Sequence, residues 1–316
     1  PGAVVVDGDH QAGAAALLDL AEINLMLPAH RHLALARAAF PKPVPSLTEE
    51  NLYEARALYA RVSAEANDAA PYLLLSIAAR MEAPWRALPL VRHIATAGDE
   101  TLAHAAEDAE ILAEALFEDL ESHARQLERD AEDDLDAEDA AASLAHFAEY
   151  ASGLIGEARN IGDGAAASRA EASRDIVAGA LTRFCEQAHA SLRKVQPVRH
   201  AGGSSRLSAL RPDTERALDP ADEARAAAAA KFLAGAGNLA QRLGRPAAAA
   251  GLVADAAADA RRYAGDLVVE IRAGEGADRI GARRRMEQTL AVAAPLIAPA
   301  DLALLKERAA AAAVSA

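Results

Sequence analysis

The chain has 316 residues, of which 52% are hydrophobic but only 3% aromatic, and its formal net charge is −14. This length allows one large or two ordinary domains, with a sizeable core built from alanine and aliphatic side chains. The single cysteine excludes an internal disulfide framework and a cysteine-rich zinc site.

The amino-terminal stretch joins three valines to an acidic loop and an alanine-rich segment. Val4–Val6 is predicted to be an extended arm, because no second convincing strand exists to pair with it. Asp7–Asp9 would cap the first helix, which a 3.6-residue period predicts over 11–39 with a break at Pro28. Two acids and His10 make an incomplete cation site.

Prolines separate the next two helical regions. Pro41–Pro45 predicts a stiff, extended connector, and Ser46 with Glu49 has the spacing of a capping box. Residues 69–97 are the most apolar part of the chain and predict a buried helix, a break at Pro84 and another helix. The side chains that could line an apolar pocket between these helices are Tyr72, Met81 and Trp85.

Three long amphipathic helices are predicted next, over about 100–127, 137–160 and 165–195. Apolar side chains recur on one side of each helix, and short turns between them favour an antiparallel bundle. The first of these helices also carries glutamates spaced by three or four residues, which therefore share one face. They are Glu107, Glu110, Glu114, Glu118 and Glu121.

The remaining third of the chain is also helical in its periodicity. Residues 196–218 contain two prolines and a Gly-Gly-Ser-Ser run, which predict a basic loop or linker. Asp219-Pro220 then has the features of a helix start, and Gly244 and Gly274 those of helix ends.

We therefore predict an all-α protein, a multi-helix bundle of long antiparallel amphipathic helices with a smaller carboxy-terminal helical unit. The amino-terminal helical domain covers 1–195 and contains the acidic helix pair 100–160. The loop or linker covers 196–218, and the alanine-rich helical unit covers 219–316.

Negative charge is concentrated in one stretch. Fifteen acids lie between Glu107 and Asp139, opposed only by Arg125 and Arg129, so this stretch carries −13 of the net charge of −14. Like charges three or four residues apart destabilise a helix, and a basic partner surface would relieve the repulsion. The chain itself has basic segments at 193–211 and in the patch formed by Arg279, Arg283, Arg284 and Arg285.

No catalytic or metal-binding constellation is complete in the sequence. Glu186 and His189 have the Glu-x-x-His spacing of di-metal bundle proteins, but no second such pair exists. The acids at 133–139 suggest the Mg²⁺-diphosphate motifs of all-α isoprenoid synthases, yet they lack the spaced DDxxD pattern and a second motif. Cys185 is predicted to be a buried small residue rather than a nucleophile. We expect neither a cofactor nor a structural metal.

These observations favour a non-catalytic interaction or scaffold protein that binds a protein partner through charged helix faces. The partner would have a basic surface and could be a second copy of the chain. The alternative is an all-α enzyme, such as an isoprenoid-synthase-like one, or a binder of small apolar ligands with its pocket near 69–97.

The expected location is the cytoplasm. No apolar run reaches the roughly 18 residues that span a bilayer, and no basic-then-apolar signal segment opens the chain. We expect that the initiator methionine was removed before Pro1. The negative net charge and the few stacking aromatics argue against nucleic acid as a partner.

Overall fold

The computed structural model describes residues 30, 33–41, 43–95, 104–200 and 210–314. The protein is an all-α multi-helix bundle, so the fold class predicted from the helical periodicity is confirmed. The described part of helix α1 is 33–39. The later helices are α2 (Glu49–Glu65), α3 (Ala70–Ala78), α4 (Leu88–Ala95), α5 (Ala105–Asp130), α6 (Ala137–Asn160), α7 (Gly164–Lys194), α8 (Pro220–Arg242), α9 (Ala247–Ala273), α10 (Gly276–Ala293) and α11 (Pro299–Val314).

The predicted amino-terminal arm, its acidic cap and the first part of the first helix, residues 1–29, lie outside the described residues. None of the described helices is both long enough and apolar enough to cross a membrane.

Contacts divide the chain into two compact units. The first is formed by residues 1–121 and 152–171, and the second by 122–151 and 172–316. The long helices α5, α6 and α7 each supply residues to both units. The domain limits predicted at 195 and 219 stay a prediction.

Helix α2 begins two residues later than the predicted capping box. The Thr48 hydroxyl accepts a hydrogen bond from the Asn51 amide at 3.2 Å, and the Asn51 side-chain oxygen accepts one from the Thr48 amide at 3.1 Å. The capping box predicted at Ser46 and Glu49 is therefore wrong. Because Thr48 is the last residue before the helix, Glu49 falls in the first turn, where its charge favours the positive helix end.

The first unit has an apolar core around α2, α3 and α4. A 3₁₀ turn at Pro84–Ala87 separates α3 from α4, as the prolines predict. The Val44 amide donates to the Arg80 carbonyl and the Val44 carbonyl accepts from the Glu82 amide, both at 2.9 Å, so the proline-rich connector is held at the end of α3. The largest fully buried side chains here are Phe40, Tyr59, Leu73, Leu74, Ile77, Leu88, Leu90 and Ile94.

In the second unit, the predicted helix ends of the carboxy-terminal part are confirmed. The Asp219 carboxylate accepts a hydrogen bond from the Ala221 amide at 2.9 Å, and Pro220 begins α8. Gly244 follows α8 with a φ of +69°, which favours glycine, and the Gly274 amide donates to the Glu270 carbonyl at the end of α9.

The predicted loop at 196–218 contains a short hairpin. Strand β1 (Val198–His200) pairs antiparallel with β2 (Leu210–Pro212), so that Arg199 lies opposite Arg211. Three-residue strands are too short to produce a recognisable period-2 pattern, which is why the sequence indicates only a loop.

Candidate functional site

An acidic surface covers one side of α5 in the first unit. We use this name for Glu107, Glu110, Ile111, Glu114 and Glu118, which are all exposed and surround a shallow depression. Four of the five glutamates that the sequence places on one helix face are therefore together at the surface. Ile111, which the sequence reasoning did not single out, lies among them with 47% of its area exposed.

Arg169 forms ion pairs with two of the five glutamates that the sequence places on one face of α5, Glu114 and Glu121. Its guanidinium, on α7, binds both carboxylate oxygens of Glu114 at 2.8 Å, forms an ion pair with Glu121 and lies 5.3 Å from the centre of the Phe117 ring. The pKa of Arg169 is raised because the Glu121 and Glu114 carboxylates accept its hydrogen bonds. Glu114 and Glu121 consequently have a structural role within the chain.

Arg169 belongs to no cluster of basic residues, so the sequence pattern did not single it out. In an antiparallel run of three helices the first and third are parallel, so an arginine in the first turns of α7 could have been expected to face the glutamates of α5. Glu110 and Glu118 form no ion pair with any described residue, and Glu107 lies 3.3 Å from the His104 ring.

A buried hydrogen bond joins α2 to the buried side of α5, the helix that carries the acidic surface. The Tyr59 hydroxyl of α2 donates to the Asp108 carboxylate at 2.7 Å, and both side chains are buried. Burial raises the pKa of the Asp108 carboxyl, and the hydrogen bond from Tyr59 only partly opposes this. This hydrogen bond joins α5 to α2, and the Arg169 ion pairs join α5 to α7. The helix that carries the exposed glutamates is therefore held by contacts to two other helices.

The four arginines predicted to form a basic patch are divided by the structure. The Arg279 guanidinium donates to the Gly274 carbonyl at 2.9 Å, at the junction of α9 and α10. Arg285 is only 4% exposed and donates to the Arg216 carbonyl, so its charge is not available to a partner. Arg283 and Arg284 are exposed, whereas Arg279 is half-buried.

The residues predicted to line a pocket near 69–97 are placed differently from one another. Met81 is buried at the end of α3, Tyr72 is half-buried, and Trp85 lies against Gly153 of α6 so closely that a Cβ atom there would overlap the indole ring. The predicted pocket stays a prediction.

The acids at 133–139 occupy the turn before α6 and the first turn of that helix. The Asp136 carboxylate accepts hydrogen bonds from the amides of Glu138 and Asp139 at 3.1 and 3.2 Å, which makes it the cap of the helix. The Gln187 side-chain amide donates to the Ala131 and Asp133 carbonyls at 2.9 Å and ties this turn to α7. Across the described ranges, no group of three histidine, cysteine, aspartate or glutamate side chains could hold a metal ion.

A charged cluster in the second unit was not predicted. His189 is only 6% exposed, and its Nε2 atom lies 3.0 Å from the Asp259 carboxylate, which also binds Arg193 at 2.9 Å and Arg262 at 2.7 Å. Burial would raise the pKa of Asp259, but the hydrogen bonds from Arg193 and His189 and the charge of Arg262 hold it below its ordinary value. Side chains of this cluster line two cavities: His189 and Arg193 contribute to one of about 400 Å³, and Asp259 and Arg262 to one of about 610 Å³.

Cys185 is fully buried on α7, as predicted. Burial, with a smaller contribution from the Glu186 carboxylate, raises the pKa of its thiol to about 12. Because the thiolate is the reactive form, we expect Ellman's reagent at pH 8 to leave the native chain unmodified and to release one equivalent of chromophore after unfolding in urea. Rapid reaction of the folded chain would contradict this packing.

The described residues thus contain an exposed acidic surface and a pair formed by the buried His189 and the partly buried Asp259. Neither a protein-family model, nor a curated protein, nor a solved structure matches the chain.

Proposed function

We propose that the chain is a non-catalytic interaction protein that binds a basic protein partner through the acidic surface of α5. The observation that carries this proposal is the exposure of Glu110 and Glu118, which pair with no described residue, on either side of the exposed Ile111. Unpaired like charges on one helix face repel one another, and a basic partner removes that repulsion. A cytoplasmic location, expected from the sequence, is part of the proposal.

The composition of the acidic surface suits a small interface. Binding energy concentrates in a few residues near the centre of an interface, surrounded by polar groups that exclude water. Ile111 would be the central apolar contact, and Glu107, Glu110 and Glu118 the charged rim that directs a basic partner. Since Glu114 is paired with Arg169 at 2.8 Å, it belongs to the internal contacts that hold α5 and is not one of the free charges of the rim.

The test is a triple charge reversal that spares the Arg169 ion pairs. The variant Glu107→Lys/Glu110→Lys/Glu118→Lys should fold normally but lose the proteins that the wild-type chain captures from an extract of its own cells. The matched control is Glu54→Lys/Glu149→Lys/Glu307→Lys, which changes the net charge equally at exposed glutamates elsewhere. Capture by the wild type should weaken between low and high salt, because the charges act over about 8 Å at physiological ionic strength.

Two further results decide the proposal. Ile111→Ala should weaken capture of the same proteins without changing its dependence on salt. If the triple variant captures the same proteins as the wild type, or if the control loses them equally, the acidic surface is only a solvated face.

A further inference from the structure

An apolar groove lies in the second unit between α10 and α11, with α9 beneath it. The groove has a volume of about 420 Å³, and its lining is mostly apolar. Ile271, Met286 and Leu290 are buried at its base, and Leu302 is half-buried at its side. This volume lies within the range of about 300–1,000 Å³ that small-molecule sites occupy.

The sequence of the two helices explains why the groove is open. Ala291 of α10, Ala294 directly after that helix and Ala309 of α11 line its walls, where larger side chains would otherwise fill the space between the helices. Protein interiors are close-packed, so an unfilled apolar space of this size is uncommon among packed helices.

The rim of the groove is cationic. Arg283 and Lys306 are exposed, and Glu287 is the one acid among the lining residues. Neither cation forms an ion pair within the described part of the chain. The groove therefore combines an apolar base with two cations that have no anionic partner, which is the complement of an amphiphilic anion.

The lining favours one class of occupant. An unbranched alkyl chain has an apolar surface that matches the base, and a carboxylate at its end would pair with the two cations of the rim. We propose that the groove binds a medium-chain fatty carboxylate, with the alkyl chain against Met286 and Leu290 and the carboxylate at Arg283 and Lys306.

This site is independent of the acidic surface, and its test uses decanoate and decanol as probes in calorimetric titrations of the full chain. Decanoate should bind. The double variant Arg283→Ala/Lys306→Ala should lower the affinity for decanoate by about tenfold or more, as expected for the loss of a charge-assisted hydrogen bond. Its affinity for decanol should be unchanged. Arg284→Ala is the matched control, because Arg284 is exposed on the same helix but does not line the groove.

A second variant tests the apolar part of the site. Ala294→Leu should fill the groove and lower the affinity for both probes. Circular dichroism and the melting temperature report whether the chain remains folded. If Ala294→Leu unfolds the chain, Ala309→Leu fills the groove from α11 instead. The proposal is overturned if the wild type does not bind decanoate, if both filled variants fold and bind it unchanged, or if the arginine–lysine variant weakens both probes equally. Dimerisation of the wild type that Ala294→Leu abolishes would instead assign the groove to a second copy.

Discussion

Gly153→Ala should lower the free energy of unfolding by about 1–2 kcal/mol, although alanine is the better helix former. The new Cβ atom would overlap the Trp85 ring, which covers Gly153 in the first unit, and overpacking of this kind costs about 1–3 kcal/mol. The gain of about 0.5–1 kcal/mol from replacing glycine inside a helix only partly offsets that cost. Urea unfolding followed by circular dichroism measures the difference.

Gly156 provides the matched control on the same helix. No heavy atom lies within 4 Å of a Cβ placed there, so Gly156→Ala should stabilise the chain by about 0.5–1 kcal/mol. Trp85 is the single tryptophan, and its fluorescence therefore reports the site directly. Its emission should shift to longer wavelength in Gly153→Ala and stay unchanged in Gly156→Ala; equal stabilisation by both substitutions would show that the indole does not lie over Gly153.

Asp259→Ala should destabilise the chain by about 2–3 kcal/mol at neutral pH. The substitution leaves the buried His189 Nε2 atom without its partner, and hydrogen bonds to a charged group contribute about 1.5–3 kcal/mol. Arg193 and Arg262 add little, because their side chains are 65% and 73% exposed. Asp301→Ala is the control, since it breaks an exposed ion pair with Arg261 and should cost less than about 1 kcal/mol.

The stability that Asp259 contributes to the wild type should depend on pH, because the pKa of its carboxyl is lowered in the folded state. A carboxyl whose pKa is lower in the folded state binds protons more weakly there than in the unfolded chain. Its stabilisation is fully present above the ordinary pKa of about 4 and is lost as the pH falls through the lowered pKa of the folded state. The difference in unfolding free energy between wild type and Asp259→Asn should therefore shrink below pH 4; a constant difference from pH 7 to pH 3 would contradict the pKa shift.

Local features of the sequence determine where the helices lie. The apolar spacing over 137–160 predicts α6, which spans Ala137–Asn160, and Asp219-Pro220 predicts the start of α8. These predictions succeed because helix periodicity, caps and glycine or proline breaks depend on residues within a few positions of one another. The predicted capping box is wrong because Ser46 and Thr48 are both residues that can cap a helix and lie only two positions apart, so the local sequence does not decide between them.

The position of the negative charge is also a property of the sequence. A 3.6-residue period places five of the glutamates of α5 on one side, and four of these lie together on the acidic surface. The helical period does not indicate which residue of another helix pairs with these glutamates. Arg169 lies 55 positions from Glu114, and only the tertiary structure brings the two side chains together.

Tertiary structure alone decided which charges are structural and which are exposed. Arg283 and Arg285 are two residues apart in the same basic run, yet the first faces solvent and the second is buried against the carbonyl of Arg216. His189 and Asp259 are 70 positions apart, and nothing in either local pattern links them. Spacing along a helix determines which side chains share a face, whereas the residue that a face meets depends on how distant helices pack, and packing energy is shared among all of their contacts.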